Sequence, residues 1–206
     1  MTTPREQPLA VTAVILAGGR SRRMGGRDKA LLPLAGRPLL AHVLAAIRPQ
    51  VNHVLINTHR DDAAYTGLGF PLIADTLPGQ PGPLAGLLSG LINAPDPLVL
   101  TVPCDMPLVP ADLVARLTAA LERAEADVAT VHDGTRLHQA VLLARRTLAP
   151  QVQTYLEGGQ RKVEEWLMAQ SYALADFSDQ PEAFANANTP KELADLETGL
   201  RSEHDD

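Results

Sequence analysis

The most informative stretch of the sequence for the fold is Val11–Lys29, VTAVILAGGRSRRMGGRDK. Its beginning, Val11–Ala17, is a short apolar run rich in β-branched side chains, which predicts a buried β-strand. A long loop rich in glycine and arginine follows over Gly18–Ala30. Beyond it, Pro38–Ile47 carries apolar residues at helical spacing and begins with proline, as helices often do. The stretch therefore predicts a strand, a loop and a helix in succession.

The rest of the chain repeats this alternation. Further strands are predicted at His53–Asn57, Pro71–Ala74, Leu98–Pro103, Asp127–Val131 and Gln139–Ala144. Further helices are predicted at Leu84–Ile92, Ala111–Ala124, Thr147–Leu156, Val163–Ala169 and Lys191–Leu200. Strands that alternate with helices of about ten residues favour βαβ units. We therefore predict a single α/β domain over residues 9–200, with a mostly parallel sheet, helices on both faces, a flexible tail over 1–8 and an acidic tail over 201–206.

Composition excludes several classes of protein. The chain has 206 residues, 45% of them hydrophobic, which is enough for one core. Its net charge of −6 and its 3% of aromatic residues argue against a nucleic-acid partner or an anionic membrane surface. No run of about 18 apolar residues exists, Cys104 is the only cysteine, and no secretory signal is evident. We expect a cytoplasmic protein without membrane spans or disulfides.

The predicted sheet also predicts where chemistry should lie. In open α/β sheets, ligands bind beyond the carboxyl ends of the strands. The polar segments at those ends are Gly18–Lys29, Asn57, Asp75 and Asp105. We expect these residues to meet at one edge of the sheet.

The glycine-rich loop is the best candidate for binding phosphate. Glycines after a strand let backbone N–H groups approach an anion, and Lys29 with the neighbouring arginines can add charge-assisted bonds. This loop holds the one dense positive cluster of the chain: Arg20, Arg22, Arg23, Arg27 and Lys29. Its spacing matches neither a P-loop nor a dinucleotide-binding fingerprint. A solvated surface loop is the alternative interpretation.

Other polar residues allow two interpretations each. Asp105 suits Mg²⁺, which takes one or two carboxylates plus phosphate oxygens, but an Asp after a strand also caps turns. Cys104 follows an apolar strand and is predicted to be a small buried residue. None of the six histidines has the spacing of a metal-binding helix, so structural or solvent-facing roles are expected. Around Asn186 and Asn188, the pair Thr189 and Glu192 predicts a helix cap.

Together, five segments resemble one enzyme family. LAGGRSRRMGGRDKALLPLAGRPL, from Leu16 to Leu39, resembles the amino-terminal signature of Rossmann-like nucleotidyltransferases, and in detail that of the molybdenum cofactor guanylyltransferases. The other segments that carry the resemblance are GPLAGL (82–87), VPCDMP (102–107), GGQRKVEEWL (158–167) and FANANTP (184–190). The resemblance covers nearly the whole chain and implies a Rossmann-like nucleotidyltransferase fold.

The resemblance also implies a reaction and its substrates. These are transfer of GMP from GTP to the phosphate of molybdenum-bound molybdopterin, with release of pyrophosphate and with Mg²⁺ as cofactor. It implies that GTP contacts Leu16, Ala17, Gly18, Gly19, Lys29, Asn57, Asp75 and Asp105. Lys29 and Asp105 would be catalytic, and Asp105 would hold the metal.

The resemblance further implies residues and partners on the acceptor side. Molybdopterin is expected near Arg23, Arg161, Lys162, Asn186 and Asn188. Transient contact is expected with proteins that supply molybdopterin or that receive the finished cofactor.

Two other functions fit parts of the sequence. A relative could use CTP or a sugar-phosphate acceptor; Gly18 and Gly19 favour GTP, because cytidylyltransferases more often have LAAG at this point. A non-catalytic nucleotide sensor would also keep the loop, but the presence of both Lys29 and Asp105 argues against it.

Overall fold

The computed structural model describes residues 9–18, 28–60, 63–77 and 82–202. Within them the main sheet has seven strands in the order β5-β4-β1-β6-β8-β7-β9. These strands are β1 (Val11–Leu16), β4 (His53–Asn57), β5 (Leu72–Ile73), β6 (Leu98–Pro103), β7 (Val128–His132), β8 (Leu137–Arg145) and β9 (Tyr172–Asp176). A separate two-stranded hairpin joins β2 (Pro33–Leu34) to β3 (Arg37–Pro38). The predicted amino-terminal tail over residues 1–8 lies outside the described residues.

The sheet is mostly parallel. Strand β1 pairs in parallel with β4 on one side and with β6 on the other, and β4 pairs in parallel with β5. On the far side β7 pairs in parallel with β9, and β8 runs antiparallel to both of its neighbours. The carboxyl ends of β1, β4, β5 and β6 therefore lie at one edge of the sheet.

Helices cover both faces, as predicted. The described α-helices are α1 (Leu39–Ile47), α2 (Ala63–Thr66), α3 (Pro83–Asn93), α4 (Leu113–Arg123), α5 (Ala149–Glu157), α6 (Val163–Met168) and α7 (Pro190–Ser202). Helices α1 and α4 pack on one face of the sheet, and α3, α5 and α6 pack on the other. Alternate residues of β1 divide between the two cores: Ala13 and Ile15 face α1, whereas Val14 faces α3. None of the described helices is long and apolar enough to cross a bilayer.

Helix α3 packs unusually close to β1 because two of its residues are glycines. A Cβ atom on Gly90 would lie 2.5 Å from Val14 Cγ2, and one on Gly86 would lie 2.3 Å from Leu16 Cδ2. Both distances are far inside ordinary van der Waals contact. The two glycines are one helical turn apart, so they present a single flat stripe to the strand. Gly86 thereby brings the first turn of α3 to the carboxyl end of β1.

Several elements were not predicted from the sequence. The short helix α2, the β2–β3 hairpin and strand β9 all lie in segments without an assigned element. Strand β9 has the alternating burial of a half-covered strand, but its inward residues are Ala173 and Ala175, whose small side chains give little apolar signal. Lys29, expected within the loop, instead begins a short 3₁₀ turn, Lys29–Leu31.

Candidate active site

An ion pair lies just beyond the end of β6. The Cys104 N–H donates to the carbonyl of Leu16 at 3.1 Å, which continues the β1–β6 pairing past the strand. Asp105 follows, and its Oδ2 accepts a hydrogen bond from Lys29 Nζ. The side chains of Asp105 and Lys29 are 17% and 16% exposed, so the pair is largely screened from water. The structure thus brings together the cation and the carboxylate that the sequence singled out.

The segment before α7 completes this cluster. Lys29 Nζ also donates to Asn188 Oδ1 at 2.5 Å, and the Ala187 N–H donates to the Asp105 carbonyl at 2.9 Å. Lys29 therefore lies between one carboxylate and one amide oxygen. Three distant parts of the chain meet here, and each supplies one hydrogen-bonding side chain.

The predicted helix cap at the start of α7 is confirmed with one change. Glu192 N–H donates to Thr189 Oγ1 at 3.2 Å, as a capping box requires. The Glu192 carboxylate, however, accepts from the Asn188 N–H at 2.8 Å, one residue before the cap. Asn188 therefore serves both interpretations, because its backbone stabilises the helix start while its side chain contacts Lys29.

A second polar cluster lies beyond β4 and β5. Asn57 Nδ2 donates to Asp75 Oδ1 at 3.0 Å, and His59 Nε2 lies 3.1 Å from Asp75 Oδ2. Because the carboxylate accepts, the His59 nitrogen is the donor in this pair. The Ala17 N–H donates to the Asn57 carbonyl at 2.8 Å, which joins this cluster to the end of β1. Asn57 and Asp75 are therefore neighbours, as the strand-end rule predicts.

His59 belongs to this cluster, and the sequence analysis did not single it out. A Cβ atom on Gly18 would lie 3.5 Å from His59 Cδ2, so the imidazole borders the backbone at the start of the glycine-rich loop. A single histidine in a loop has no pattern around it that predicts this. Its position two residues beyond the end of β4 is the one available signal.

Gly86 fixes the space beside Asn57. A Cβ atom on Gly86 would not only clash with Leu16 but would also lie 3.0 Å from Asn57 Oδ1. Gly82, at the start of the same segment, has a φ of +99°, which disfavours residues with a side chain. The GPLAGL segment thus needs its glycines for the turn into α3 and for close approach to the site.

The remaining predicted residues are separate from these clusters or outside the description. Gly19 and Arg23, with Arg20, Arg22 and Arg27, lie outside the described residues. Arg161 Nη1 donates to the carbonyls of Leu156 and Gln160, and Lys162 pairs with Glu165, so these contacts stay within α5, α6 and the turn that joins them. Asn186 lines a small cleft of about 160 Å³ together with Pro103 and Met106, which flank the Asp105 segment.

Cys104, at the same edge of the sheet, does not have the chemistry of a nucleophile. Cys104 is buried, and burial together with the neighbouring Asp105 raises the pKa of its thiol well above the usual range. A neutral thiol is a poor nucleophile, so the prediction of a structural cysteine is confirmed. Among the described residues, no group of three or more His, Cys, Asp and Glu side chains is arranged to hold a metal. This arrangement remains compatible with a metal ion whose ligands are one carboxylate and the phosphate oxygens of a substrate.

Comparison with known proteins gives the same picture. Residues 13–173 match the model of the MobA-like NTP transferase domain. A molybdenum cofactor guanylyltransferase of Shewanella halifaxensis is 42% identical over 193 residues, which is 94% of this chain and 96% of the relative. A protein of the same name from Shewanella putrefaciens is 45% identical over 185 residues, or 90% of this chain and 95% of the relative.

Solved structures share the fold at low sequence identity. The molybdopterin-guanine dinucleotide biosynthesis protein A of Archaeoglobus fulgidus superposes with a TM-score of 0.78 at 20% identity, covering 93% of this chain and 99% of that one. The 2-C-methyl-D-erythritol 4-phosphate cytidylyltransferase of Thermus thermophilus gives 0.68 at 22% identity, covering 91% and 98%. These likenesses establish the Rossmann-like nucleotidyltransferase fold. The close relatives and the matched domain further show that the chain belongs to the family of molybdenum cofactor guanylyltransferases.

Proposed function

We propose that this protein transfers GMP from GTP to the terminal phosphate of molybdenum-bound molybdopterin, forming the guanine dinucleotide cofactor and pyrophosphate. Membership of the family supports this activity. The single observation that carries it is the Lys29–Asp105–Asn188 cluster, which lies at the carboxyl edge directly beside the end of β1. That is the edge where this type of sheet binds nucleotides.

The donor nucleotide would lie along the ends of β1, β4 and β5. In the proposal, Leu16, Ala17 and Gly18 present backbone to the nucleotide, and Gly19 continues that surface. Asn57 and Asp75 would contact the guanosine. The hydrogen bonds from Asn57 and His59 hold the Asp75 carboxylate in one orientation before any ligand arrives. Such preorganisation reduces the entropy that binding must otherwise overcome.

The bond changes require positioning more than acid–base chemistry. An oxygen of the molybdopterin phosphate attacks the α-phosphorus of GTP, a new P–O bond forms, and the bond to the bridging oxygen of the β-phosphate breaks. The electron pair of that bond leaves with pyrophosphate. The attacking phosphate is already ionised near neutral pH, so no strong general base is needed. This agrees with the buried, neutral thiol of Cys104.

Lys29 is the group that would meet the developing charge. Both reactants are anions, so a fixed cation in a partly dehydrated site stabilises the transition state. The ammonium group donates to both Asp105 and Asn188. When triphosphate binds, we expect Lys29 to exchange its contact with Asp105 for phosphate oxygens. The Asp105 carboxylate is then released for a second cation.

The donor set at Asp105 fits Mg²⁺. Mg²⁺ prefers oxygen ligands and commonly takes one or two carboxylates together with substrate phosphates. Asp105 offers one partly exposed carboxylate, and Asn188 Oδ1 accepts a hydrogen bond from Lys29, the lysine that also contacts Asp105. Held by Asp105, the ion would supply charge neutralisation on the triphosphate and the leaving pyrophosphate.

The acceptor would approach from the side of the Phe184–Pro190 segment. The proposed contacts of Asn186 and Asn188 with molybdopterin are supported by two observations: Asn188 touches Lys29, and Asn186 borders the small cleft beside the Asp105 segment. Arg23, Arg161 and Lys162 remain proposed contacts on the strength of the family resemblance. Exchange with proteins that supply molybdopterin or receive the cofactor is part of the same proposal.

The test is pyrophosphate release with molybdenum-loaded molybdopterin, with and without Mg²⁺, comparing GTP, CTP, ATP and UTP. Mg²⁺-dependent release with GTP alone is expected. Preference for CTP would overturn the proposed base specificity, and turnover with a sugar phosphate instead of molybdopterin would overturn the proposed acceptor. Nucleotide binding without any release would indicate a sensor.

A further inference from the structure

A largely buried carboxylate, that of Asp28, lies next to Lys29 in sequence and has partners that differ from those of Lys29. The Asp28 side chain is 13% exposed, accepts two hydrogen bonds and forms one salt bridge. The Ala30 N–H donates to Oδ1 at 3.2 Å, and the Tyr65 hydroxyl donates to Oδ2 at 2.8 Å. Arg60 Nε lies 3.2 Å from the same Oδ2 and balances the charge. Asp28 is thus fixed on both oxygens.

The strongest of these partners comes from a different part of the fold. Tyr65 lies in α2, is fully buried and packs in the core shared with α1 and α4. Burial and the hydrogen bond to Asp28 raise the pKa of its phenol, so the hydroxyl stays protonated and donates. A buried hydroxyl whose partner is a carboxylate makes one of the stronger hydrogen bonds in proteins. Tyr65 therefore ties the glycine-rich loop's last described residues to the rigid core.

The restraint on Asp28 also restrains the side chain of Lys29. Asp28 is the cap of the 3₁₀ turn that Lys29 begins, so fixing its carboxylate fixes the direction in which the Lys29 side chain leaves the backbone. That side chain must span from this turn to Asp105 and Asn188. An error of about one ångström in such a position can cost two orders of magnitude in rate.

We infer that Tyr65 is a positioning residue for nucleotidyl transfer, which acts through Asp28 to hold the Lys29 ammonium group at the reacting phosphates. This inference rests on the proposed function for its catalytic consequence. Its structural part, the restraint of Lys29, can be measured without turnover.

The first experiment measures the exposure of the Lys29 amine in the full-length Tyr65→Phe variant. The chain has three lysines, Lys29, Lys162 and Lys191, so limited acetylation followed by peptide mass spectrometry gives each rate separately. We expect Lys29 to react several-fold faster in the variant than in the wild type, while Lys162 keeps its rate. The substitution keeps the ring and removes only the donor.

The chain offers a matched control at the opposite edge of the sheet. Thr12 is fully buried, and its hydroxyl donates to Asp96 Oδ2 at 2.7 Å. Thr12→Val also removes a buried hydroxyl from a carboxylate, but far from Lys29. We expect a comparable loss of stability and no change in the labelling of Lys29.

The second experiment is steady-state kinetics with GTP. In Tyr65→Phe we expect kcat to fall by about tenfold, the lower end of what one hydrogen bond to a charged group contributes, with KM for GTP little changed. Thr12→Val should retain the wild-type kcat. If Tyr65→Phe does not fold, Arg60→Gln removes another donor to Asp28 at a 48% exposed side chain and should shift both readouts in the same direction.

The outcomes separate the two proposals. Unchanged Lys29 labelling in Tyr65→Phe, or an equal change in Thr12→Val, would overturn the positioning role whatever the enzyme's activity. Faster labelling of Lys29 in a protein whose wild type shows no GTP turnover would support the restraint and contradict the proposed function. Faster labelling with undiminished kcat would show that the restraint does not serve catalysis.

Discussion

Two aspartates flank β6 symmetrically, and they serve different purposes. Asp96 precedes the strand by two residues, at the amino edge, where it accepts from the Thr12 hydroxyl at 2.7 Å and from His53 Nδ1 at 2.9 Å. Asp105 follows the strand by two residues, at the carboxyl edge, where it accepts from Lys29. Asp96 joins two neighbouring strands, β1 and β4, whereas Asp105 holds the Lys29 ammonium group, which in the proposal exchanges this contact for phosphate oxygens. Both residues are aspartates, so the difference between them comes from the end of β6 at which each one lies, because ligands bind beyond the carboxyl ends of the strands.

The largest expected effect comes from removing each aspartate in turn. Asp105→Ala should lower turnover by about a thousandfold or more, since it removes the proposed metal ligand and one of the anchors of Lys29. Its midpoint of thermal unfolding should stay close to that of the wild type. Turnover and thermal unfolding measured on the same preparation check this.

Asp96→Ala is the opposite case. It leaves a buried hydroxyl without its acceptor and should cost about 1–3 kcal/mol of the free energy of unfolding, with kcat retained. Near-normal turnover in Asp105→Ala, or a similar loss of kcat in both variants, would break the comparison between the two edges.

The next largest effect is expected from removal of the Lys29 ammonium group. Lys29→Ala should cost about 2–4 kcal/mol of transition-state stabilisation, which is the scale of losing one preorganised electrostatic contact. The measurement is kcat/KM for GTP at fixed, saturating molybdopterin. A loss of less than tenfold would mean that the arginines of the loop carry the charge instead.

A smaller effect distinguishes the two glycines of α3. Gly86→Ala should destabilise the fold by about 1–3 kcal/mol through overpacking, and it should raise KM for GTP because the new methyl group presses on Asn57. Gly90→Ala, one turn further from the carboxyl edge, meets Val14 and Val99 and should destabilise to a similar degree with KM unchanged. Urea unfolding and initial rates measure both quantities. Equal KM values in the two variants would contradict the placement of the nucleotide beside Asn57.

The smallest expected effect concerns Asp133, a buried aspartate in the turn between β7 and β8. Burial alone would raise the pKa of Asp133, but hydrogen bonds from Thr135, Arg136 and His138 outweigh it and hold that pKa well below the usual value near 3.9. A depressed pKa adds stability that is present above the unfolded value and is lost as pH falls towards the folded one. Asp133→Asn should therefore be less stable than the wild type at pH 7, by a difference that narrows below about pH 4.

Urea unfolding over a series of pH values tests this. A stability difference that stays constant down to pH 3 would mean that Asp133 contributes through shape rather than through charge. Because Asp133 stabilises a hairpin, we expect Asp133→Asn to retain turnover at pH 7, whereas Asp105→Ala should lose it.

Much of the fold is predictable because buried strands have a clear signature. The bounds of β4 and β6 agree with the sequence prediction, since both strands consist largely of apolar residues. Strand β9 is missed because its buried positions are alanines, and α2 is missed because four residues are too few to show a helical period. Weak apolar signal, rather than unusual geometry, explains both.

The site is predictable where it follows from strand ends and charge. Asn57, Asp75 and Asp105 are predicted by the carboxyl-edge rule, and Lys29 is predicted by the phosphate chemistry of its loop. The contact between Lys29 and Asn188 joins residues 159 positions apart, and the local capping pattern already accounts for the polar residues around Asn188. No spacing rule could reveal such a contact.

Isotope tracing would show directly whether this edge of the sheet transfers the nucleotidyl group, as we propose. The wild-type protein would be incubated with molybdenum-loaded molybdopterin and Mg²⁺, using GTP labelled with ³²P at either the α- or the γ-phosphate. We expect α-label in the dinucleotide cofactor and γ-label in pyrophosphate, with both signals lost in Asp105→Ala. Appearance of the γ-label in the pterin product, or in inorganic phosphate alone, would contradict the proposal.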